Sequence, residues 1–277
     1  MRCIWCKQNA DDSKSVEHIL PESLGNRDHT LPRGWVCDPC NNYLARKVEK
    51  PFLDSCYGRT IRFEKDIPNK RGRIPPIRGI HLQSMLPIEV QKINEVEDIS
   101  IGSMKELDES KWILSIKKNQ GGTLILPMSA EPPNDRALSR FIAKVGLEML
   151  ASKCIHVTGS NDELANQPEL DEIRRYVRLG TPANIWPIHM RRIYPVDMRF
   201  ADEEESFEVL NEWAILCTAS QEYYAVIALF GAEYTINLGG PELDGYVTWL
   251  HNNNNRSPLY WDDESGKEPE ANSTYFK

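Results

Sequence analysis

Two cysteine pairs near the N-terminus constrain the fold of this chain more than any other feature. Cys3 and Cys6 form the first C-x2-C pair, and Cys37 and Cys40 form the second. Together they offer four thiolates, the number that Zn2+ accepts in a tetrahedral structural site. The spacing predicts a structural zinc ion that ties the start of the chain to the second pair, because so short a segment has little hydrophobic core of its own.

The cysteine count and the absence of long apolar runs favour a soluble protein in a reducing compartment. The chain has 7 cysteines, an odd number that favours a metal site over a disulfide framework. The other three, Cys56, Cys154 and Cys217, are predicted to be buried thiols that pack as small hydrophobic side chains. No apolar run reaches the roughly 20 residues of a membrane span, and no secretory signal is visible. We expect a soluble, cytoplasmic protein that does not contact a membrane.

Charge is distributed unevenly along the chain. The net charge of −8 excludes a protein that is basic over its whole surface, yet residues 1–80 hold 15 Lys and Arg against 10 Asp and Glu. Residues 81–277 hold 18 against 31. Local positive potential is sufficient for phosphate binding, so the N-terminal part is predicted to contact nucleic acid, with a solvated basic face as the alternative. The acidic part is predicted to bind a partner protein or to form a homodimer.

The first 80 residues are predicted to form a strand, a loop, a second strand, a helix and a connector. The strand covers Ser15–Leu20, the loop Glu22–Arg33, and the second strand Trp35–Cys37. The helix covers Pro39–Glu49, with Leu44 and Val48 on one face. Glycines and prolines over residues 51–80 predict a basic connector without long elements. Residues 1–80 are therefore predicted to be one unit.

Residues 81–277 are predicted to form a mixed α/β domain. Apolar runs at Trp112–Ile116 and Thr123–Leu126 predict strands, whereas the apolar period over Ala137–Lys153 predicts a core helix, with a second helix at Glu169–Leu179. Four later stretches predict an antiparallel meander: Asn184–Tyr194, Phe207–Thr218, Tyr223–Phe230 and Glu233–Leu238. The predicted fold class is α+β, with a zinc-knuckle unit, core helices and an antiparallel C-terminal sheet.

The residues between and after the cysteine pairs resemble the HNH endonuclease family. Ser15–Gly25 reads S-V-E-H-I-L-P-E-S-L-G, and Val36–Asn42 reads V-C-D-P-C-N-N. This pattern is similar to the four-cysteine subgroup of the family, which has an (E/D)-H-I-x-P strand and a V-C-x-x-C-N corner. The resemblance covers about residues 1–50. It implies a ββα-metal fold, in which two strands and a helix hold one divalent cation against the scissile phosphate.

The resemblance also implies roles for three residues. His18 would be the general base that deprotonates the attacking water, and Glu17 and Asn41 would hold a catalytic Mg2+ or Mn2+. Neutral imidazole can accept a proton near pH 7, and carboxylate and amide oxygens suit a hard cation. Asn42 could replace Asn41, because the sequence does not fix the helix phase to one residue.

This chain departs from the family at two points. Many members have Asp where this chain has Glu17. Many also have an asparagine in the second strand that fixes the loop behind the histidine, and Thr30–Trp35 contains none, so another group must do that work.

Basic residues near the motif are candidate phosphate contacts, although each could equally be solvated. They are Arg33, Arg46, Lys47 and Lys50.

The sequence therefore predicts a metal-dependent HNH endonuclease that hydrolyses DNA, and it does not exclude RNA as a substrate. A role in restriction or anti-phage defence is inferred from the resemblance. The alternative is a non-catalytic zinc-knuckle module that binds nucleic acid or protein. In the first interpretation, residues 81–277 are predicted to be an accessory, specificity or sensor domain.

Overall fold

The computed structural model of the chain divides into two compact units. The larger unit comprises Met1–Pro21, Asn26–Phe52 and Asn134–Lys277, and the smaller unit comprises Glu22–Gly25 and Leu53–Pro133. These units are defined by packing. The functional division into a nuclease unit (residues 1–80) and an accessory domain (residues 81–277) therefore stays a prediction. The structure describes residues 1–26, 28–69, 71–93, 98–104, 106–119, 122–158, 161–195, 200–201, 206–207 and 211–260.

The first elements follow the predicted order of strand, strand and helix. Strand β1 (Glu17–His18) pairs antiparallel with β2 (Thr30–Leu31), and a 3-10 turn covers Glu22–Leu24. Helix α1 (Asp38–Leu44) runs on through a π-helical segment and α2, whose bounds are Ala45–Glu49 and Lys50–Leu53. The predicted helix is confirmed and extends four residues further.

The second strand was predicted in the wrong place. It lies at Thr30–Leu31, inside the predicted loop, whereas Trp35–Cys37 is not a strand. Trp35 donates its backbone N–H to the Pro32 carbonyl at 3.2 Å, and Gly34 has a φ of 88°. This turn separates the strand from the second cysteine pair, because the left-handed conformation at Gly34 cannot continue an extended strand.

The smaller unit contains a helix, a four-stranded antiparallel sheet and a second helix. Helix α3 covers Cys56–Glu64, so the predicted connector is in part helical. The sheet order is β5-β4-β3-β6. Its remaining elements are β3 (Ile77–His81), β4 (Leu86–Ile93), β5 (Asp98–Ser103), α4 (Glu106–Asn119) and β6 (Leu124–Ile125).

The prediction of a strand at Trp112–Ile116 is wrong, because these residues lie within helix α4. Trp112 packs against a cluster that includes Ile77, Ile88 and Val90, so one side of the helix meets the sheet. A short apolar run does not distinguish a strand from a buried helix face. The neighbouring prediction, Thr123–Leu126, overlaps β6.

The larger unit is built on one long helix against an antiparallel sheet. Helix α5 covers Arg136–Thr158 and is followed by α6 (Asp162–Asn166), a 3-10 turn (Pro168–Leu170) and α7 (Asp171–Leu179). Both predicted helices are therefore confirmed. A Cβ at Gly146 would lie 2.7 Å from the Ala225 Cβ, so glycine allows this helix to approach the sheet closely.

The C-terminal sheet is antiparallel in the order β10-β11-β12-β7, which confirms the predicted antiparallel arrangement. The three consecutive strands form a meander, and β7 joins β12 at the edge. The bounds of the remaining elements are β7 (His189–Arg192), β8 (Phe200–Ala201), β9 (Ser206–Phe207), β10 (Asn211–Cys217), β11 (Tyr223–Leu229), β12 (Ala232–Asn237), α8 (Asp244–Asn252) and a 3-10 turn (Pro258–Tyr260).

The predicted α+β class is confirmed. Across the described residues, no helix combines the length and the apolar character that crossing a membrane requires.

Candidate metal and catalytic site

The four cysteines of the two pairs lie together. Their Sγ atoms are all within 4.8 Å of one another, and those of Cys6 and Cys37 are 3.6 Å apart. Cys3, Cys37 and Cys40 are buried, and Cys6 is half-buried. Four sulfurs at these separations fit a tetrahedral Zn2+ with bonds of about 2.3 Å. The predicted structural zinc site is thus supported by its complete set of ligands.

Backbone hydrogen bonds shape both halves of this site. Lys7 N–H donates to the Cys3 carbonyl at 2.9 Å, which closes the first knuckle, and Lys7 has a φ of 61°. Cys37 stands immediately before α1, where its N–H donates to Cys3 Sγ at 3.4 Å. A tight turn and a helix start therefore hold the two pairs in position.

The thiols of Cys3, Cys37 and Cys40 differ in pKa. A hydrogen bond from the Cys40 thiol lowers the pKa of Cys3 to about 5, and the same contact raises the pKa of Cys40. Burial raises the pKa of Cys37 to about 11. Because Zn2+ binds thiolates, metal binding must displace the remaining protons, and affinity falls as the pH falls.

The other cysteines lie apart from this cluster. Cys56 and Cys217 are exposed and Cys154 is half-buried, so the prediction that all three are buried is wrong. Cys217 ends the edge strand β10, and Cys56 begins α3, where side chains remain accessible.

Glu17 lies in β1 with its side chain turned inward. Its side chain is 4% exposed, and Oε1 lies 2.8 Å from the Nζ of Lys144. Oε2 is also buried and has no hydrogen-bond partner within the described part of the chain. Burial raises the pKa of this carboxyl group, and the ammonium group of Lys144 opposes the shift. One oxygen is thus held by a cation, and the other is left as a potential ligand.

Asn41 lies next to the same strand. It is half-buried in the first turns of α1, and its Nδ2 donates to the carbonyl of Val16 at 3.2 Å. This bond orients the amide and leaves Oδ1 as the atom that could bind a cation. Asn42 is exposed. A carboxylate oxygen of Glu17 and an amide oxygen of Asn41 are donor types that suit a hard divalent cation.

His18 is half-buried and lies directly after Glu17 in β1. Its backbone is fixed on two sides, because it pairs with Thr30 and its carbonyl accepts a hydrogen bond from Lys144 Nζ at 2.6 Å.

The basic residues singled out from the sequence are all exposed: Arg33, Arg46, Lys47 and Lys50. Arg46 Nε donates to the Asn42 carbonyl at 3.2 Å, which holds its side chain along the helix.

Asn26 supplies a loop contact that the sequence did not assign. It is 4% exposed, and its Nδ2 donates to the carbonyls of Leu20 at 2.7 Å and His29 at 3.2 Å. Its Oδ1 accepts from the His29 N–H at 3.1 Å. These bonds join the two ends of the loop behind His18, which is the task that a strand asparagine performs in many HNH proteins. The sequence did not predict this role for Asn26, because Asn26 precedes β2 and does not lie within it.

Lys144 is a second residue that sequence reasoning missed. It lies on α5, 126 positions after His18, and its side chain is fully buried. The only signal in the sequence is a Lys144–Glu148 pair at i,i+4 spacing within an otherwise apolar helix face.

Comparison with known proteins bears on the N-terminal segment only. No curated protein and no solved structure matches the chain. The family model described as HNH endonuclease matches residues 3–56, a stretch that includes the four clustered cysteines, Glu17, His18 and Asn41. Residues 3–56 are therefore similar to the HNH endonuclease family.

Proposed function

We propose that this protein is a metal-dependent endonuclease that hydrolyses phosphodiester bonds of DNA. The proposal is supported by the positions of three residues at one short strand within the segment that matches the HNH family model. Glu17 and His18 form β1, and the amide of Asn41 is bonded to the residue before it. The family match alone indicates a class of enzyme, whereas the positions of these three residues support metal-dependent hydrolysis of a phosphodiester bond.

Glu17 and Asn41 would hold the catalytic ion. The carboxylate and amide oxygens of these side chains are the ligand type that Mg2+ or Mn2+ prefers, unlike the thiolates of the zinc site. When bound, such an ion supplies positive charge that stabilises the charge developing on the phosphate and the leaving oxygen.

His18 would accept the proton of the attacking water. An imidazole that is neutral near pH 7 can act as a general base. The strand pairing and the contact with Lys144 hold its backbone, so the direction of the ring depends on few remaining torsions. Exposed Arg33, Arg46, Lys47 and Lys50 would bind flanking phosphates of DNA or RNA.

The remaining features belong to the same proposal. We place the enzyme in the cytoplasm, in restriction or anti-phage defence, with residues 81–277 as a specificity or sensor domain. One active site per chain would favour a homodimer for cutting both strands, through the acidic C-terminal part.

Cleavage of supercoiled plasmid tests the proposal. Zinc-loaded wild type and His18→Ala are compared with Mg2+ and Mn2+, and His251→Ala serves as control because His251 is exposed on α8. We expect nicking by wild type and the control, and a loss of about 100-fold or more in His18→Ala.

Equal cleavage by His18→Ala would reject His18 as the base. If none of the proteins cuts plasmid, RNA and modified DNA are tested next, and inactivity on all substrates would reject the nuclease in favour of a binding module.

A further inference from the structure

We infer that Lys144 is a positioning residue of the proposed active site, so that helix α5 completes the HNH segment from outside it. The inference rests on the proposed function, because it names a residue that orients Glu17 and His18. Lys144 follows the end of the matched segment, residue 56, by 88 positions.

The Lys144 ammonium group makes five polar contacts. Nζ lies 2.8 Å from Glu17 Oε1, 2.9 Å from Glu49 Oε1 and 2.8 Å from Glu148 Oε2. It also donates to the carbonyls of His18 at 2.6 Å and Ile19 at 3.1 Å. Three of these five contacts involve consecutive residues, because Glu17 and His18 form β1 and Ile19 follows it.

Strand β1 has few contacts of its own within the sheet. Its ladder with β2 contains only the pairs Glu17–Leu31 and His18–Thr30, followed by one bond from Ile19 N–H to the His29 carbonyl at 3.0 Å. So short a ladder is marginal without packing from elsewhere. The Lys144 bonds reach the carbonyls of this strand and therefore fix it against α5.

Lys144 also determines which oxygen of Glu17 is left for a cation. Lys144 occupies Oε1, and Oε2 remains the buried oxygen without a partner among the described residues. Partners of this kind set the orientation of a metal ligand, and their loss typically costs about 10–100-fold in metal affinity or activity.

The cluster also reaches the zinc site. Glu148 accepts a hydrogen bond from the indole of Trp5, which lies between Cys3 and Cys6. One turn of α5 thus contacts the first cysteine knuckle and the strand that carries His18, so the two proposed metal sites share one support.

The test replaces Lys144 without leaving an extra buried charge. Lys144→Met alone would leave the carboxylates of Glu17, Glu49 and Glu148 without their cation, which disfavours folding. Lys144→Met/Glu148→Gln removes one charge of each sign, and the glutamine retains an acceptor for Trp5. The control is Lys153→Met, because Lys153 lies on the same helix and is exposed. Folding and zinc content are checked by circular dichroism and elemental analysis.

Three readouts separate positioning from general stability. For the folded, zinc-loaded double variant we expect amide hydrogen exchange at Ile19 to be about tenfold faster. We expect Mn2+ affinity, measured by EPR, to be about 10–100-fold weaker, and kcat to fall by a similar factor with KM for DNA unchanged. Lys153→Met should match wild type in all three.

Unchanged exchange at Ile19 together with unchanged Mn2+ affinity would overturn the inference, as would a double variant with wild-type kcat. The exchange measurement needs no nuclease activity. A wild-type protein that neither cuts nor binds Mn2+ would therefore defeat the proposed function, and exchange at Ile19 would still decide whether Lys144 holds the strand.

Discussion

Trp5 donates its indole N–H to Glu148 Oε1 at 2.9 Å, and both side chains are buried. The bond joins the first cysteine knuckle to a helix 143 positions away in sequence. Glu148 in turn contacts Lys144, which holds β1. The knuckle, the strand and α5 therefore form one connected polar network inside the larger unit.

Trp5→Phe should destabilise the protein by more than the lost apolar area accounts for. The substitution removes the donor and leaves a buried carboxylate oxygen unsatisfied, a loss of about 1–3 kcal/mol in the free energy of unfolding. Trp35→Phe is the control, because Trp35 is also buried and its indole makes no hydrogen bond within the described residues. Urea denaturation of both variants checks the difference, and equal losses would contradict the prediction.

Arg174 connects the same knuckle to α7. It is 3% exposed, and its guanidinium group donates to the carbonyls of Ile4 at 2.7 Å, Gln167 at 2.8 Å and Leu164. Arg174→Met would leave buried carbonyls without donors, so we expect a loss of about 3 kcal/mol or more in the free energy of unfolding. Arg175 is exposed on the same helix, and Arg175→Met should change the value by about 0.5 kcal/mol or less.

Replacement of one zinc ligand should destabilise the N-terminal segment. Cys6→Ser is expected to lose the metal and to lower the thermal midpoint, because binding free energy at such a site contributes directly to folding. Elemental analysis and calorimetry measure both effects. Cys217→Ser, at an exposed cysteine outside the cluster, should retain one zinc per chain. Full zinc in Cys6→Ser would show that the four thiols are not the ligand set.

Asn41 and Asn42 can be distinguished by one pair of substitutions. Asn41 is oriented by its bond to Val16, whereas Asn42 is exposed. Asn41→Ala should weaken Mn2+ binding by about tenfold or more, and Asn42→Ala should leave it unchanged. EPR titration of the zinc-loaded proteins makes the measurement, and the reverse order of effects would assign the ligand to Asn42.

The correct predictions rest on the local spacing of residues. Two C-x2-C pairs predict the cysteine cluster, and an apolar period that continues over many turns predicts α5. The strand at Thr30–Leu31 was missed because two residues are too few for a pattern, and its position depends on the turn at Gly34.

The supporting residues of the candidate site could not be predicted in this way. Asn26 acts by joining carbonyls at the two ends of a loop, and Lys144 acts across 126 positions of sequence. The role of Asn26 exists only in the folded loop, and that of Lys144 only after distant segments have packed together. A lysine within an apolar helix face is the one local sign, and it does not identify its partners.

Glu212 gives the protein a pH-dependent stability outside the candidate site. It lies in β10, where burial raises its pKa to about 7 from a value of 4.5. A raised folded-state pKa favours the protonated form, so its contribution to stability is complete below pH 4.5 and is lost as the pH rises through about 7. Glu212→Gln stays neutral at every pH. The variant should therefore match wild type near pH 4 and have a higher thermal midpoint at pH 8, by an amount that solvent screening reduces because the side chain is only half-buried. Glu169→Gln, at an exposed position, should show the same difference from wild type at both pH values, and an equal result for Glu212→Gln would contradict the assignment.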